Sequence, residues 1–305
     1  MGFKRATLRT TLGGHTRRVS SVALSPDGRL GLTGSLDRTA RLWSLPAGEA
    51  IRTLGEHTRE VNAVVLSPDG KEALCATGEM LSGDSLVRLW DASTGKSVRD
   101  LVGHEGEVSA LAFSPRQRLV ATGGVDTTAR LFELGTGRCL RTLSGHGGWV
   151  RAVALSPSAD RVVTGAMDGV VRVWDASSGQ SLHTLDAHAG GVHAVVISPD
   201  GRSAVSGGRD GKLRVWDIGA GKSLQLLTGH AEAVRAIALS GDGRWALSGG
   251  QDKTVRLWDL PAGKEVWKES ISGWALSVAL SADARWALVG TYDRKVLLYE
   301  LELVA

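Results

Sequence analysis

The chain has 305 residues, of which 42% are hydrophobic and 22% are charged, and its formal net charge is +4. This composition is ordinary for a folded globular protein, and no apolar run approaches the roughly 18 residues of a membrane-spanning helix. The first residues contain no apolar signal-peptide core, and Ala6 stands where N-myristoylation requires Ser or Thr. The basic residues are spread through the chain, so the charge alone does not indicate a nucleic-acid partner.

The two cysteines, Cys75 and Cys139, are too few for a disulfide framework and lack the spacing of metal ligands. We therefore expect reduced thiols and a cytoplasmic protein without a metal or a cofactor.

Seven aromatic residues, each followed by Ser, Asp or Glu, close successive units of about 42 residues, and a His opens six of these units. The spacings between the aromatic residues are 47, 42, 42, 42, 42 and 41. Self-similarity of this kind predicts a repeat architecture. The closing pairs are Trp43-Ser44, Trp90-Asp91, Phe132-Glu133, Trp174-Asp175, Trp216-Asp217, Trp258-Asp259 and Tyr299-Glu300, and the histidines are His15, His57, His104, His146, His188 and His230.

One unit, residues 188–227, illustrates the local pattern. Strands are predicted over 192–197, 203–207, 213–216 and 223–227, because apolar residues alternate there and turn residues such as Ser198-Pro199-Asp200-Gly201 separate them. Four short antiparallel strands cannot bury both faces of their sheet alone, so the units must pack against one another.

The span from Gly-His to Trp-Asp resembles the WD-repeat (WD40) β-propeller family, and the resemblance covers residues 6–301. It implies an all-β fold, a seven-bladed β-propeller with four antiparallel strands per blade, in a single domain over residues 1–305. The usage of Arg, Gly and Ala, together with the Ser-Pro-Asp-Gly turns, is similar to that of bacterial stand-alone members of the family.

The two ends of the chain predict how the ring closes. The last unit stops at residues 301–305, after its third strand, whereas residues 6–12 precede Gly14-His15 as an outer strand would. We therefore expect residues 6–12 to supply the outer strand of blade 7, which would remove an open sheet edge.

The resemblance also implies a buried polar line within each blade, formed by His, a hydroxyl, Asp and the Trp indole. A linear network of this kind satisfies all four buried groups together, which favours a structural role over a ligand role. The complete sets are His15-Thr33-Asp37-Trp43, His146-Thr164-Asp168-Trp174, His188-Ser206-Asp210-Trp216 and His230-Ser248-Asp252-Trp258.

Three units depart from this pattern. The second keeps His57 and Trp90 but has about five extra residues across 75–83, which leaves its hydroxyl partner open. In the third, Phe132 cannot donate a hydrogen bond. The seventh has Val289 at the hydroxyl position and Tyr299 for Trp. We expect these blades to be the least tightly networked.

The catalytic motifs that we searched for match the sequence incompletely or not at all, and we predict no catalytic residue. Residues 219–223 resemble the end of a phosphate loop, but they lie between two predicted strands without a following helix. No Gly-X-Ser-X-Gly elbow occurs, and His188 and His193 lack the spacing of the helical zinc motif.

In the WD-repeat family the commonly used surface is the top face, which carries the loops that enter the first strand and join the second to the third. The corresponding residues of blades 4 to 7 are rich in Trp, Tyr and Arg, the types that dominate interface hot spots. The insertion of the second unit falls on the same face. The binding candidates are Trp149, Arg151, Met167, His193, Arg209, Arg235, Trp274, Leu276, Tyr292, Met80 and Leu81.

These observations predict a non-enzymatic scaffold, monomeric by itself, that binds a protein or peptide on the top face and has no membrane partner. The alternative is a reader of anionic ligands, either phosphorylated peptide or nucleic acid, through the Arg-rich arc of that face. A propeller enzyme would need a converging cluster of carboxylates, His or metal ligands, and Glu60, Glu107 and His193 do not evidently converge.

Overall fold

The computed structural model describes residues 2–78, 85–114 and 116–304, which form 28 β-strands in seven four-stranded antiparallel sheets. The innermost strands of neighbouring sheets contact one another in a closed circle, so each sheet is one blade of a seven-bladed β-propeller. The fold class predicted from the repeat is therefore confirmed.

The strands of the first three blades follow one another outward in chain order. Blade 1 contains β2 (Val19–Leu24), β3 (Leu30–Ser35), β4 (Thr39–Ser44) and β5 (Glu49–Glu56). Blade 2 contains β6 (Val61–Leu66), β7 (Glu72–Thr77), β8 (Leu86–Asp91) and β9 (Lys96–Val102). Blade 3 contains β10 (Val108–Ser114), β11 (Leu119–Gly124), β12 (Ala129–Glu133) and β13 (Cys139–Leu143).

The next three blades repeat this order. Blade 4 contains β14 (Val150–Leu155), β15 (Arg161–Ala166), β16 (Val170–Asp175) and β17 (Ser181–Asp186). Blade 5 contains β18 (Val192–Ile197), β19 (Ser203–Gly208), β20 (Lys212–Asp217) and β21 (Lys222–Thr228). Blade 6 contains β22 (Val234–Leu239), β23 (Trp245–Gly250), β24 (Thr254–Asp259) and β25 (Lys264–Ser270).

Blade 7 takes its strands from both ends of the chain. It contains β26 (Ala275–Leu280), β27 (Trp286–Thr291), β28 (Val296–Val304) and, on the outside, β1 (Gly2–Leu12). The closing strand predicted from residues 6–12 is present, but it is longer, because Gly2 to Ala6 also pair with Leu301 to Val304. Residues 301–304 extend β28, the third strand of the blade, and the fourth strand that the last unit lacks is supplied by β1, as expected.

The turns follow the chemistry of their residues. In blade 5, the Ser198 hydroxyl accepts a hydrogen bond from the amide of Ser203 (2.9 Å), and the amide of Gly201 donates to the carbonyl of Ser198 (2.8 Å). Gly201 has a φ of 72°, a conformation that glycine adopts without steric cost. This turn joins β18 to β19 and sets the register in which Ile197 pairs with Ala204.

The core lies between blades as seven apolar clusters rather than one central cluster. A side chain at Gly207 would come within 2.6 Å of Val234 in the next blade, so glycine permits the close approach of the two sheets. Trp245 and Trp286 are buried in two of these clusters and pack between neighbouring blades.

Candidate functional site

A β-bulge interrupts the innermost strand of every blade at the same position. In blade 5 the pairing steps from Val192 to Ala194 and skips His193, and the corresponding step occurs in the other six blades. A bulge leaves the extra residue out of the ladder and redirects its side chain. The seven skipped residues, here called the bulge ring, are Ser20, Asn62, Ser109, Arg151, His193, Arg235 and Leu276.

The bulge ring lines the mouth of the central channel on the top face, in a cavity of about 330 Å³. Its members change in character around the circle: small and polar in blades 1 to 3, basic in blades 4 to 6, and apolar in blade 7. The other residues that line this mouth are Arg18, Leu36, Glu60, Glu107, Gln251, Trp274 and Tyr292.

Six of the candidates predicted from the sequence therefore meet at one site. They are Arg151, His193, Arg235, Trp274, Leu276 and Tyr292.

Aromatic side chains stand at one edge of the mouth. The rings of Trp274 and Tyr292 are 5.1 Å apart, and 37% and 48% of these residues remain exposed. Trp149 lies outside the mouth, directly before β14 of blade 4; it is 36% exposed, and the Arg151 guanidinium lies 5.0 Å from the centre of its ring. Exposed aromatic residues beside arginines can bury a large area on binding at a low cost in side-chain entropy.

The charges of the mouth are only partly paired. Arg151 forms an ion pair with Glu107 (3.2 Å), and Glu60 pairs with Arg17 (3.1 Å). Burial raises the pKa of Glu107. Burial also lowers the pKa of His193 to about 3, with a smaller effect from the nearby Arg235 and Arg151, so its imidazole is neutral at physiological pH.

Three further predicted residues lie elsewhere on the top face. Trp149, Met167 and Arg209 do not line the channel mouth, and Met167 fills the space beside Gly148 and Gly191 at the junction of blades 4 and 5. Met80 and Leu81 fall outside the described residues. Whether any of these residues contacts a partner stays a prediction.

Arg18, Glu60 and Glu107 line the mouth but were not among the binding candidates. Glu60 and Glu107 line it together with His193, so the expectation that these three residues do not converge is wrong. Ring closure places blade 1 beside blade 7 and the Arg18 guanidinium 5.7 Å from the Tyr292 ring centre. The predicted closing strand already implied that blades 1 and 7 are neighbours, and this could have placed Arg18 at the site. Glu107 belongs to the site because it pairs with Arg151 of the next blade.

The polar lines contain the hydrogen bonds expected of a structural network. In blade 5, the Trp216 indole donates to the Ser206 hydroxyl (2.8 Å), which lies 2.8 Å from His188 Nε2, while His188 Nδ1 lies 2.8 Å from Asp210. The other three sets, His15-Thr33-Asp37-Trp43, His146-Thr164-Asp168-Trp174 and His230-Ser248-Asp252-Trp258, contain the same contacts.

The direction of these bonds follows from their chemistry. Burial lowers the pKa of His188, so the imidazole is neutral. Because a carboxylate only accepts, His188 donates from Nδ1 to Asp210, and its Nε2 accepts from Ser206. The hydroxyl must therefore accept from Trp216 and donate to His188 at once, which only a Ser or Thr does well at this position.

Blades 2 and 3, which lack one member of the polar line, differ from this arrangement in different ways. Blade 3 keeps the contacts from His104 to Thr122 (2.6 Å) and Asp126 (2.9 Å), and only the indole is missing. In blade 2, Cys75 pairs with Val64 and Arg88 as Ser206 pairs with Val195 and Arg214. Cys75 thus occupies the hydroxyl position.

The consequence in blade 2 is a gap in hydrogen bonding. His57 Nε2 and the Trp90 indole nitrogen are both buried and, within residues 2–78, 85–114 and 116–304, have no hydrogen-bond partner. The Cys75 thiol is fully buried, and a thiol is a weak donor and acceptor. A cysteine at position 75 could have indicated the missing hydroxyl in the sequence, but the adjacent insertion made the alignment of this unit uncertain.

The other end of the channel is apolar. The final residues of the innermost strands line a cavity of about 440 Å³ there, and its wall includes Leu24, Phe113, Leu155, Ile197 and Leu239. These side chains are partly exposed. The two ends of the channel therefore differ in charge and polarity.

Within the described part of the chain, no group of three or more His, Cys, Asp or Glu side chains is placed to hold a metal ion. The same residues include no helix with the length and apolar character needed to cross a membrane.

Comparison with known proteins agrees with this architecture. The small ribosomal subunit protein RACK1z of Arabidopsis thaliana and the small ribosomal subunit protein RACK1 of Brassica napus are each 50% identical to the chain over 44 residues. These matches span 14% of the chain and 14% of each relative, which is about one repeat. The pattern of the WD40 family, described as WD domain, G-beta repeat, matches residues 6–44, 48–91, 95–133, 137–175, 179–217 and 221–259. The chain belongs to the WD40 family.

Proposed function

We propose that this protein is a non-enzymatic scaffold that binds a protein or peptide segment on the top face of its propeller. WD40 proteins typically act as scaffolds for protein interactions, but a fold alone does not assign a role to a surface. The observation that carries the proposal is the exposed aromatic edge formed by Trp274 and Tyr292 on blade 7, together with the exposed Trp149 on blade 4 of the same face.

The aromatic edge and the bulge ring together have the composition of a binding hot spot. Trp, Tyr and Arg are enriched in such spots, which lie at the centre of an interface and are surrounded by polar groups. Here Trp274 and Tyr292 adjoin Arg18, and the polar bulge ring continues from them around the channel. A protein segment lying across the mouth would contact both.

Affinity capture from a lysate of the source cells tests the proposal. We expect the double substitution Trp149→Ala with Trp274→Ala to reduce capture of the main partner strongly, because an interface Trp can contribute about 2 kcal/mol or more to binding. Far-UV circular dichroism and the melting temperature should change little, since both side chains are more than one third exposed.

The matched control removes two other exposed apolar side chains, by Leu182→Ala with Leu224→Ala on the outer strands of blades 4 and 5. These residues are 42% and 59% exposed, so the control loses a comparable apolar surface at the perimeter. Equal capture by the folded Trp variant and the wild type would contradict the proposal.

A further inference from the structure

The basic arc of the bulge ring contains a cation whose charge is not compensated. Arg235 is half-buried at the channel mouth, and among the residues that the structure describes it forms neither a hydrogen bond nor an ion pair. Its neighbours in the ring are His193 on one side and Leu276 on the other. The guanidinium remains accessible from the mouth, and no neighbouring carboxylate balances its charge, so Arg235 is placed to receive an anion.

The other charges of the mouth do not supply that anion. Glu107 is engaged by Arg151 (3.2 Å) and Glu60 by Arg17 (3.1 Å). Burial, with smaller effects from Arg151 and Arg18, lowers the pKa of Arg235 to about 10, which leaves the guanidinium charged at neutral pH. Arg151 and Arg18 add further positive charge around Arg235, which strengthens the attraction of this end of the channel for an anion.

We propose that the channel mouth binds the carboxylate of an aspartate or glutamate side chain from the partner segment, with Arg235 as its main contact. This inference rests on the proposed function and specifies the chemistry of the segment. An adjacent apolar residue of the same segment packs on Trp274 and Tyr292, whose exposed rings lie at the edge of the same cavity. A guanidinium matches a carboxylate in shape as well as in charge.

The glutamates of the mouth favour a carboxylate over a phosphate group. Glu60 and Glu107 line the same cavity as Arg235. A phosphoryl group carries about −1.5 to −2 charges at neutral pH, and the two glutamates on the facing wall would repel its additional charge. A nucleic-acid strand would bring a row of phosphates to the same glutamates.

Selection from a displayed library of random heptapeptides on the full-length protein tests this inference. We expect the enriched peptides to share an Asp or Glu beside a large apolar residue. In a synthetic copy of the best peptide, replacing that acid by its amide should weaken binding to the wild-type protein about tenfold or more, the size expected for a charge-assisted hydrogen bond.

Substitution at Arg235 locates the contact. Arg235→Gln should remove the preference for the acid over the amide, and Arg235→Lys should retain part of it, because the positive charge remains. Arg202→Gln is the matched control, since Arg202 is an exposed arginine in the turn between β18 and β19 that neither lines the mouth nor belongs to the binding candidates. The melting temperatures of all variants establish that they are folded, and the acid-to-amide comparison on the wild-type protein needs no variant.

Several results would overturn the inference: enriched peptides without an acidic residue, no enrichment at all, equal binding of acid and amide, or an unchanged preference in Arg235→Gln. Tighter binding of the phosphoserine version of the peptide, or of a single-stranded RNA probe, would replace the carboxylate by a phosphate. The proposed function is decided separately by the Trp149 and Trp274 capture experiment. It stands if capture depends on the two tryptophans but not on Arg235.

Discussion

Blades 5 and 7 show two solutions to the same packing problem. In blade 5, Ser206 links the His188 imidazole to the Trp216 indole, so three buried polar groups satisfy one another. In blade 7, Val289 occupies the hydroxyl position and Tyr299 the indole position, and both are buried in an apolar cluster. Replacing two groups that bond to each other by apolar groups can be nearly neutral, because neither partner is left unpaired. Blade 7 keeps Asp293, which accepts a hydrogen bond from Ser272, but its Oδ1 is buried without a partner among the described residues.

Blade 2 shows the effect of replacing only the hydroxyl while the His and the Trp are kept. It keeps His57 and Trp90 but has Cys75 between them, so the two ring nitrogens are buried without a partner among the described residues. Leaving a buried donor or acceptor unpaired costs more than a hydrogen bond gains. We therefore expect the three blades to respond differently to substitution at the hydroxyl position.

The largest effect should come from removing the strand that closes blade 7. Deletion of residues 2–12 would leave β28 without its outer partner and expose its edge, which promotes unfolding or association. We expect a markedly lower melting temperature and aggregated species in size-exclusion chromatography. A monomer with an unchanged melting temperature would show that the apolar packing of blade 7 suffices without the strand.

The control for this deletion is Arg5→Ala with Arg9→Ala, which keeps the strand but removes its ion pairs with Glu302 and Glu300. Exposed ion pairs contribute less than about 1 kcal/mol each, so the control should remain a stable monomer.

An intermediate effect is expected from Ser206→Ala in blade 5. The substitution leaves His188 Nε2 and the Trp216 indole unpaired, and each unpaired buried group costs about 1–3 kcal/mol in the free energy of unfolding. Urea titration measures this loss. Ser203→Ala on the same strand is the control, because within the described part of the chain the Ser203 hydroxyl forms no hydrogen bond. Equal losses in the two variants would contradict the polar-line interpretation.

The smallest effect, and the only gain, is expected from Cys75→Thr in blade 2. Thr would supply the hydroxyl that His57 and Trp90 lack and should raise the free energy of unfolding by about 1 kcal/mol. Val289→Thr in blade 7 is the matched substitution, and it should be destabilising because the new hydroxyl would be buried among apolar groups. If Cys75→Thr also lowers the free energy of unfolding, the missing hydroxyl is not what destabilises blade 2.

Most of the fold could be predicted because each blade repeats the same local pattern. The strands of blade 5 begin and end within two residues of their predicted bounds. The closing strand was also predicted, but the pairing of Gly2 to Ala6 with the end of β28 was not. That pairing joins residues about 300 positions apart, and no local signal in either segment specifies how far it extends.

The candidate site was less predictable because it depends on register. The residues that enter the channel mouth are those that a bulge removes from the ladder, and alternation of apolar and polar residues does not reveal a bulge. Arg151 and Arg235 could be predicted as site residues from their residue type. Arg18 and Glu107 could be predicted only from knowing which blades are neighbours. Cys75 reads as an ordinary apolar strand residue until its register places it between His57 and Trp90.

The contrast between the two ends of the central channel gives the molecule a polar axis. A negatively charged group that approaches the arginine end gains Coulomb energy, whereas the same group at the end lined by Leu24, Phe113 and Leu239 would lose its hydration without compensation. The free energy of a charge along this axis thus falls at the entrance and rises again further in. An acidic side chain would halt near the entrance, and the depth of its insertion would be set by the scaffold rather than by the length of the segment that carries it.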